Sequence, residues 1–182
     1  IGDNNLQVIP IYYTHNFFEW KPRESGGGLV KIYSRLEGIA LEKTTELDSK
    51  NRRVLPNKNV LVEAAQHLVK IVNAQTGEIF DAMMSMSSTA LKCSRQWNSI
   101  MGLNTVKRNG KTIVLPTFAV WYRVGTRPET RDGNTWNNWH IEPGGSVSRD
   151  LFSDSAHLYT QVSKGDLDIV ADTSEDGPSA EG

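Results

Sequence analysis

Cysteine is nearly absent from the 182-residue chain. With Cys93 alone there can be no intrachain disulfide and no cysteine-built zinc site, and a small core filler in a reducing compartment is the expected role for that thiol. The four histidines, His15, His67, His140 and His157, lie far apart and none has a metal-ligand spacing. No Asp-x-Asp cluster occurs in residues 1 to 165, so neither metal nor cofactor is expected. Long apolar runs are also lacking. No stretch approaches the roughly 20 residues that span a bilayer, and nothing resembles a signal peptide, so we expect a soluble protein without a membrane partner. The triple glycine Gly26 to Gly28 is followed by neither Gly-Lys-Ser/Thr nor a helix signal, which argues against a phosphate loop. His140 with Glu142 could serve as a base, and Ser85, Ser87 and Ser88 as nucleophiles. Nothing joins base, orienting group and oxyanion donors, however, and the expectation is a protein that is not an enzyme.

The net charge of −1 conceals a division. All 20 basic residues lie at or before Lys164, whereas Asp166, Asp168, Asp172, Glu175, Asp176 and Glu181 fall in the last 17. Residues 1 to 165 therefore hold 20 basic against 15 acidic side chains, about +5. A mildly basic body with an acidic tail fits a polyanion partner and a detachable mimic of it.

What is present is strand-rich. Residues 79 to 101 join an apolar strand, Ile79 to Met86, expected to be mostly buried, to an amphipathic helix. Serine hydroxyls at Ser87 or Ser88 suit the helix start. Ala90, Cys93, Trp97, Ile100 and Met101 then recur on one face, and Lys92, Arg95, Gln96 and Ser99 on the other, with Gly102 placed to end the helix. Leu6 to Trp20 is β-branched and aromatic and reads as a long strand, with Pro10 at an edge or bulge. Leu29 to Ser34 reads as a second strand and Gln66 to Val72 as a third, pairing with Ile79 to Met86 across a turn at Asn73 to Gly77. Glu37 to Asn59 is polar and predicts a surface excursion. Asn109-Gly110 and Asp132-Gly133 mark hairpins, the second between strands Ala119 to Val124 and Trp136 to Ile141. Pro116 argues for an edge or bulge in Ile113 to Val124. Pro143, Gly144 and Gly145 should separate the sheet from a helix over Arg149 to Val162. Beyond Lys164 the apolar content falls away, which predicts an acidic disordered tail over 166–182 following one domain, 1–165.

The fold expected from this order is mainly β with helices (α+β). It is an OB-like five-stranded barrel with a helix between strands three and four, plus the C-terminal helix. Single-strand binders need aromatic faces for bases and cations for phosphates. The chain offers Trp20, Lys21 and Arg23 after the first strand; Lys92 and Arg95 on the helix; and Lys107, Arg108 and Lys111 at a hairpin tip. It also offers Trp121 and Arg123, which strand alternation puts on the face opposite Tyr122, and Arg127, Arg131, Trp136 and Trp139 around the second hairpin. Two or three of the five tryptophans should be core, Trp97 first among them, since strand Trp and Tyr commonly pack inside.

The phrases Glu19-Trp20-Lys21-Pro22-Arg23 with Gly26-Gly27-Gly28, and Ser85-Met86-Ser87-Ser88-Thr89 with Leu91-Lys92, Ser94-Arg95 and Trp97, together with the Trp121-Tyr122 strand and the turn before Trp136 and Trp139, resemble a family of small proteins encoded by tailed bacteriophages. The resemblance spans roughly residues 7 to 160. It implies a replication or recombination region product, similar to phage single-stranded DNA-binding proteins, acting in the host cell cytoplasm. Single-stranded DNA would be its partner, and replication or recombination proteins would be reached through the acidic tail. Trp20, Lys21, Arg23, Lys92 and Arg95 match family-type positions, to which no function carries over. Such tails often end in an aromatic residue, whereas this one ends Ser179-Ala180-Glu181-Gly182, so it is either truncated or a charge mimic only. A homo-oligomer is compatible with the sequence, which fixes neither oligomeric state nor site size. The alternative is a phage structural or host-protein-interaction protein whose aromatics form a protein interface.

Overall fold

The computed structural model describes residues 6–73 and 75–166, so the tail expected over 166–182 lies outside the described residues apart from Asp166. Two long strands form its centre. β1 (Leu6–Trp20) pairs antiparallel with β5 (Val60–Val72) along nearly its whole length, from Gln7 opposite Val72 to Trp20 opposite Val60. On its other edge β1 meets β2 (Leu29–Ser34) through Asn16 to Trp20 and β9 (Val120–Arg131) through Leu6 to Val8. β6 (Ile79–Ser87) and the two-residue strand β4 (Arg53–Val54) share the far edge of β5, and β3 (Glu46–Leu47) pairs with β4. β10 (Asn134–Ser146) closes the series against β9. A separate hairpin holds β7 (Thr105–Arg108) and β8 (Lys111–Val114).

The main sheet is open, with order β10-β9-β1-β5-β4-β3, and is not the closed five-stranded barrel expected from the element order. The reason is visible in the burial of the central strands. Barrel strands bury one face, whereas Val8, Ile9 and Ile11 of β1 and Ala64 to Ile71 of β5 are buried without alternation, because helices cover both faces of the sheet. On one side α2 (Leu91–Leu103) presents Cys93, Trp97 and Met101 to Val8, Val69, Met84, Met86, Tyr122 and Val124. On the other, α3 (Arg149–Lys164) presents Leu158 and Val162 to Ile9, Ile11, Leu68 and Phe118. A smaller cluster of Phe17, Leu55 and Leu61 lies beside Tyr33 and Leu41. Mainly β with helices is thus the architecture. α2, however, follows β6, the fourth of the long strands, and does not sit between a third and a fourth.

Several local readings need correction for physical reasons. The polar stretch 37–59 is not all surface excursion, since α1 (Arg35–Glu42) starts at Ser34, whose side chain and that of Glu37 form a reciprocal capping box. Gly38 of α1 lies so close to the Phe17 ring that a Cβ there would come within 2.0 Å of it. β5 starts at Val60, because the helix-like run Leu61 to Leu68 gains partners on both edges as a central strand. β6 is not mostly buried: Ile79 and Phe80 are exposed at the sheet margin, and only Met84 and Met86 enter the core. The strand expected over Ile113 to Val124 breaks at Pro116, where a short 3-10 turn (Thr117–Ala119) intervenes. Pro143 to Gly145 do not separate sheet from helix but belong to β10, as an irregularity that lets Trp121 pass over Gly144. α2 continues one residue past Gly102 and is capped by Asn104, whereas α3 ends on Gly165 in the left-handed region (φ 76°). Pro10 sits at a bulge, as expected, between Pro10 and Tyr12.

Candidate nucleic-acid interface

Among the described residues the pairing of β9 with β1 ends at Leu6 opposite Val124, and from Gly125 on β9 pairs with β10 in a two-stranded arm ending at the Asp132-Gly133 turn, both residues at positive φ. This arm meets the start of α2. Asn138, buried in β10, accepts from Cys93 Sγ (3.3 Å) and donates through Nδ2 to the Thr89 carbonyl (3.4 Å) and to Glu129 Oε2 (3.1 Å). Lys92 Nζ donates to both Glu129 oxygens, at 3.1 and 3.2 Å, and Arg127 Nη2 lies 3.9 Å from Oε1. Donation from Asn138 and then Lys92 holds the Glu129 carboxyl below its ordinary pKa, so it is ionised at neutral pH.

Between arm and helix lies a cleft of about 560 Å³. Ser88, Thr89, Lys92 and Arg95 form one wall; Glu129, Thr130, Arg131 and Trp136 form the other. Trp136 is half-buried, and its indole N–H has no partner among the described residues. Arg95 is exposed and makes no described bond, Arg131 contacts only the adjacent Asp132 (3.3 Å), and Lys92 alone is held by an acid within the cleft. One cation without a described acid partner, two paired with acids and an indole are the groups that a strand of alternating phosphates and bases would use.

Of the residues singled out from sequence, Lys92, Arg95, Arg131 and Trp136 come together here, with Arg127 beside them. Trp139 packs half-buried against the core under α2. The others are elsewhere. Trp121 faces the α3 side, over Gly144, and Arg123 follows it on that face of β9. Lys107, Arg108 and Lys111 are exposed at the β7–β8 tip, which follows the opposite end of α2. Trp20, Lys21 and Arg23 lie at the end of β1 and the turn after it, Arg23 opening a short 3-10 turn. Trp97 is fully buried, as its helix face dictates.

Three polar groupings escaped the sequence. Glu129 and Asn138 organise the cleft, yet nothing in a lone Glu or Asn marks it. His67 and Ser94, each 1% exposed, meet with Nε2 2.8 Å from Oγ, but among the described residues no carboxylate orients the other ring nitrogen. Glu19, buried under β2, accepts from Tyr33 (2.5 Å), Asn57 (2.8 Å) and Asn59 (2.5 Å). Among the described residues, no group of acids, histidines and cysteine could hold a metal, and no helix is long and apolar enough to cross a membrane.

The Pam3 phage gp34-like protein family matches residues 1–168, and the chain belongs to that family. No curated protein and no solved structure shows significant similarity to it.

Proposed function

We propose that this member of the Pam3 phage gp34-like family is a non-catalytic single-stranded DNA-binding protein that works in replication or recombination within the host cytoplasm. The observation that carries this reading is the cleft, where Lys92, Arg95 and Arg131 from two distant segments converge beside Trp136. Bases stack on the indole, the cations follow the phosphates, and neither contact reads base edges, so sequence preference is weak. Lys107, Arg108 and Lys111 offer a second basic patch, and the acidic residues 166–182 compete with the strand for the cations while offering a handle to replication or recombination proteins.

The testing experiment is tryptophan fluorescence during titration with a dT oligonucleotide at low and then high salt. Saturable quenching that salt reverses and that Trp136→Phe largely removes is the expected result. A flat titration of folded protein at low salt overturns the reading.

One observation favours the other class of function, a phage structural or host-interaction protein. Val106, Ile113 and Val114 are all exposed on the isolated β7–β8 hairpin, and Leu103 beside it is 78% exposed. An unsupported two-stranded hairpin is marginal in water, so a protein partner that covers the Val106–Ile113 face would stabilise it. A pull-down that survives nuclease and high salt, and is lost with Val106→Asp, would support that reading.

A further inference from the structure

Among the described residues the outer edge of β6 meets no strand, while its inner edge runs along β5 from Ile79 opposite Val72 to Ser87 opposite Ala64 without a register shift. Such an edge offers a row of free N–H and C=O groups, and native proteins blunt it with lysine, proline, a bulge or brevity. The other open edges of the described residues are blunted in these ways. β10 carries Glu142, Pro143 and an irregularity between Pro143 and Ser146; β2 has Lys31 at its middle; β3 and β4 have two residues each; and the β7–β8 hairpin holds Lys107, Arg108 and Lys111. β6, nine residues long, contains no lysine, arginine, proline or glycine.

Both faces of β6 are already engaged. Met84 and Met86 enter the cluster under α2, and Met83 packs against the one under α3. What stays open is the edge and, at its margin, Ile79 and Phe80, 45% and 52% exposed. The strand's one charge is Asp81, held by Lys70 at 2.9 Å. With no cation along it the edge has nothing to draw an acidic segment, and with Asp81 already paired it does not select a basic one.

An edge of this kind suits a copy of itself. Placed antiparallel about a two-fold axis through Met83, β6 sets Ile79 opposite Ser87, Phe80 opposite Met86, and Asp81 opposite Ser85, whose hydroxyl can donate to the carboxylate. Each exposed apolar end is covered by the far end of the other strand, and no like charges face each other. Glu78, just before the strand, comes to the far end of the second β6, where α2 begins with Lys92 in its first turn and a positively polarised terminus. The edge is thus self-complementary in backbone, apolar surface and charge, as a closed two-fold contact requires.

We propose that two copies of this chain pair edge to edge through β6, joining their sheets into one that continues across a two-fold axis at Met83. The pairing does not rest on strand binding at the cleft.

The test is sedimentation equilibrium of the full chain, freed of nucleic acid by nuclease and high salt, from about 1 to 100 µM, with a nitroxide distance measurement on Gln75→Cys. Gln75 is exposed in the turn before β6, whereas Cys93 is buried and its thiol pKa is raised by that burial, so the label goes to residue 75 alone. The wild type should approach a dimer at the top of the range. Ile79→Lys/Phe80→Lys, which puts cations at the exposed margin, should raise the dissociation constant by about tenfold or more with wild-type circular dichroism. At about 3.4 Å per residue the two Ile79 Cα atoms lie roughly 28 Å apart across the axis, and labels in the turns beyond them roughly 30–45 Å apart. A monomer at about 100 µM, a dimer undiminished in the folded double variant, or a label separation outside that range overturns the proposal. Because bound nucleic acid is removed first, failure of strand binding at the cleft would leave these outcomes unaffected.

Discussion

Glu129 gives the sharpest test of strand binding at the cleft, because removing it should improve function. Its carboxylate is ionised and sits between Lys92, 3.1 Å away, and Arg127, 3.9 Å away, so it occupies charge that a phosphate would otherwise use. Glu129→Gln keeps the shape and an oxygen for Asn138 Nδ2 while releasing Lys92. On single strands each neutralised phosphate adds about 0.7 to the slope of log K against log salt. One further contact then tightens binding by about eightfold at 50 mM salt and about threefold at 200 mM, if affinity at 1 M is unchanged. Arg95→Ala, at a position with no acid to release, should lose a similar factor at each salt concentration and flatten the slope by the same about 0.7. Titrating a dT oligonucleotide against wild type and both variants by fluorescence anisotropy across salt measures all of this. Unchanged or weaker binding by a Glu129→Gln protein with wild-type circular dichroism and melting temperature would refute the reasoning, since any strand bound elsewhere would be indifferent to the cleft's internal counter-charge.

Deleting residues 166–182 should tighten dT binding at low salt and leave it unchanged at high salt, where screening removes the competition; equal affinity at low salt would end the idea of a charge mimic. Acidification should destabilise the fold through His67: its folded pKa of about 4 lies below the ordinary value, so between pH 6.5 and 4 the unfolded chain binds the extra proton and stability falls, by at most roughly 3 kcal/mol. Denaturant melts of wild type and His67→Asn across that range should differ in slope. Glu19 acts lower on the scale. Burial raises its pKa, donation from Asn59, Tyr33 and Asn57 more than offsets this, and the net depression means that its stabilisation is present above the unfolded carboxylate pKa and lost as pH drops through the folded value. Glu19→Ala should cost about 1–3 kcal/mol at neutral pH, read by urea melts, and reduce the acid sensitivity. Gly38→Ala should cost a comparable amount by driving a methyl into the Phe17 ring, with little effect on DNA affinity.

The elements that could be read from sequence were those whose pattern is local. α2 shows its buried face at three- and four-residue spacing, α3 carries Leu158 and Val162 one turn apart, and the Asn109-Gly110 and Asp132-Gly133 turns both adopt the positive φ their residues favour. The errors came from pairing over long sequence distances. Leu61 to Leu68 has the composition of a helix start, and only β1 on one edge and β4 with β6 on the other make it a strand. A barrel and an open sheet can share one order of elements. What separates them is that Ile9 and Lys70 face α3 while Val8 and Val69 face α2. Lys70 shows this directly: it is buried within β5, yet its Nζ reaches Asp81 of β6 and Asp154 of α3, each at 2.9 Å. Its sequence context, Val69-Lys70-Ile71, reads only as an outward position in an alternating strand.

The same distinction governs the cleft. Lys92 and Arg95 were visible as the wet face of an amphipathic helix, and Arg131 and Trp136 as an excess of cations and indoles around a turn. Their convergence was not visible, because it depends on the far ends of β9 and β10 meeting the start of α2, and that junction is made by Asn138. Buried between the arm and the helix, Asn138 spends its amide on Cys93, Thr89 and Glu129, joining both walls. If the arm is set by those bonds, Asn138→Leu should leave the α2 and α3 cores intact, since the buried residues of both come from β1, β5, β6, the helices, Phe118 and the part of β9 before Gly125, yet release the arm. Affinity for a dT oligonucleotide would then fall toward that of the exposed patches alone, and hydrogen exchange would rise in residues 126–138 with little change in β5. Exchange rising equally in β5 would mean that the arm belongs to the core. The cleft would then be a by-product of packing, and its cations no more than a solvated surface.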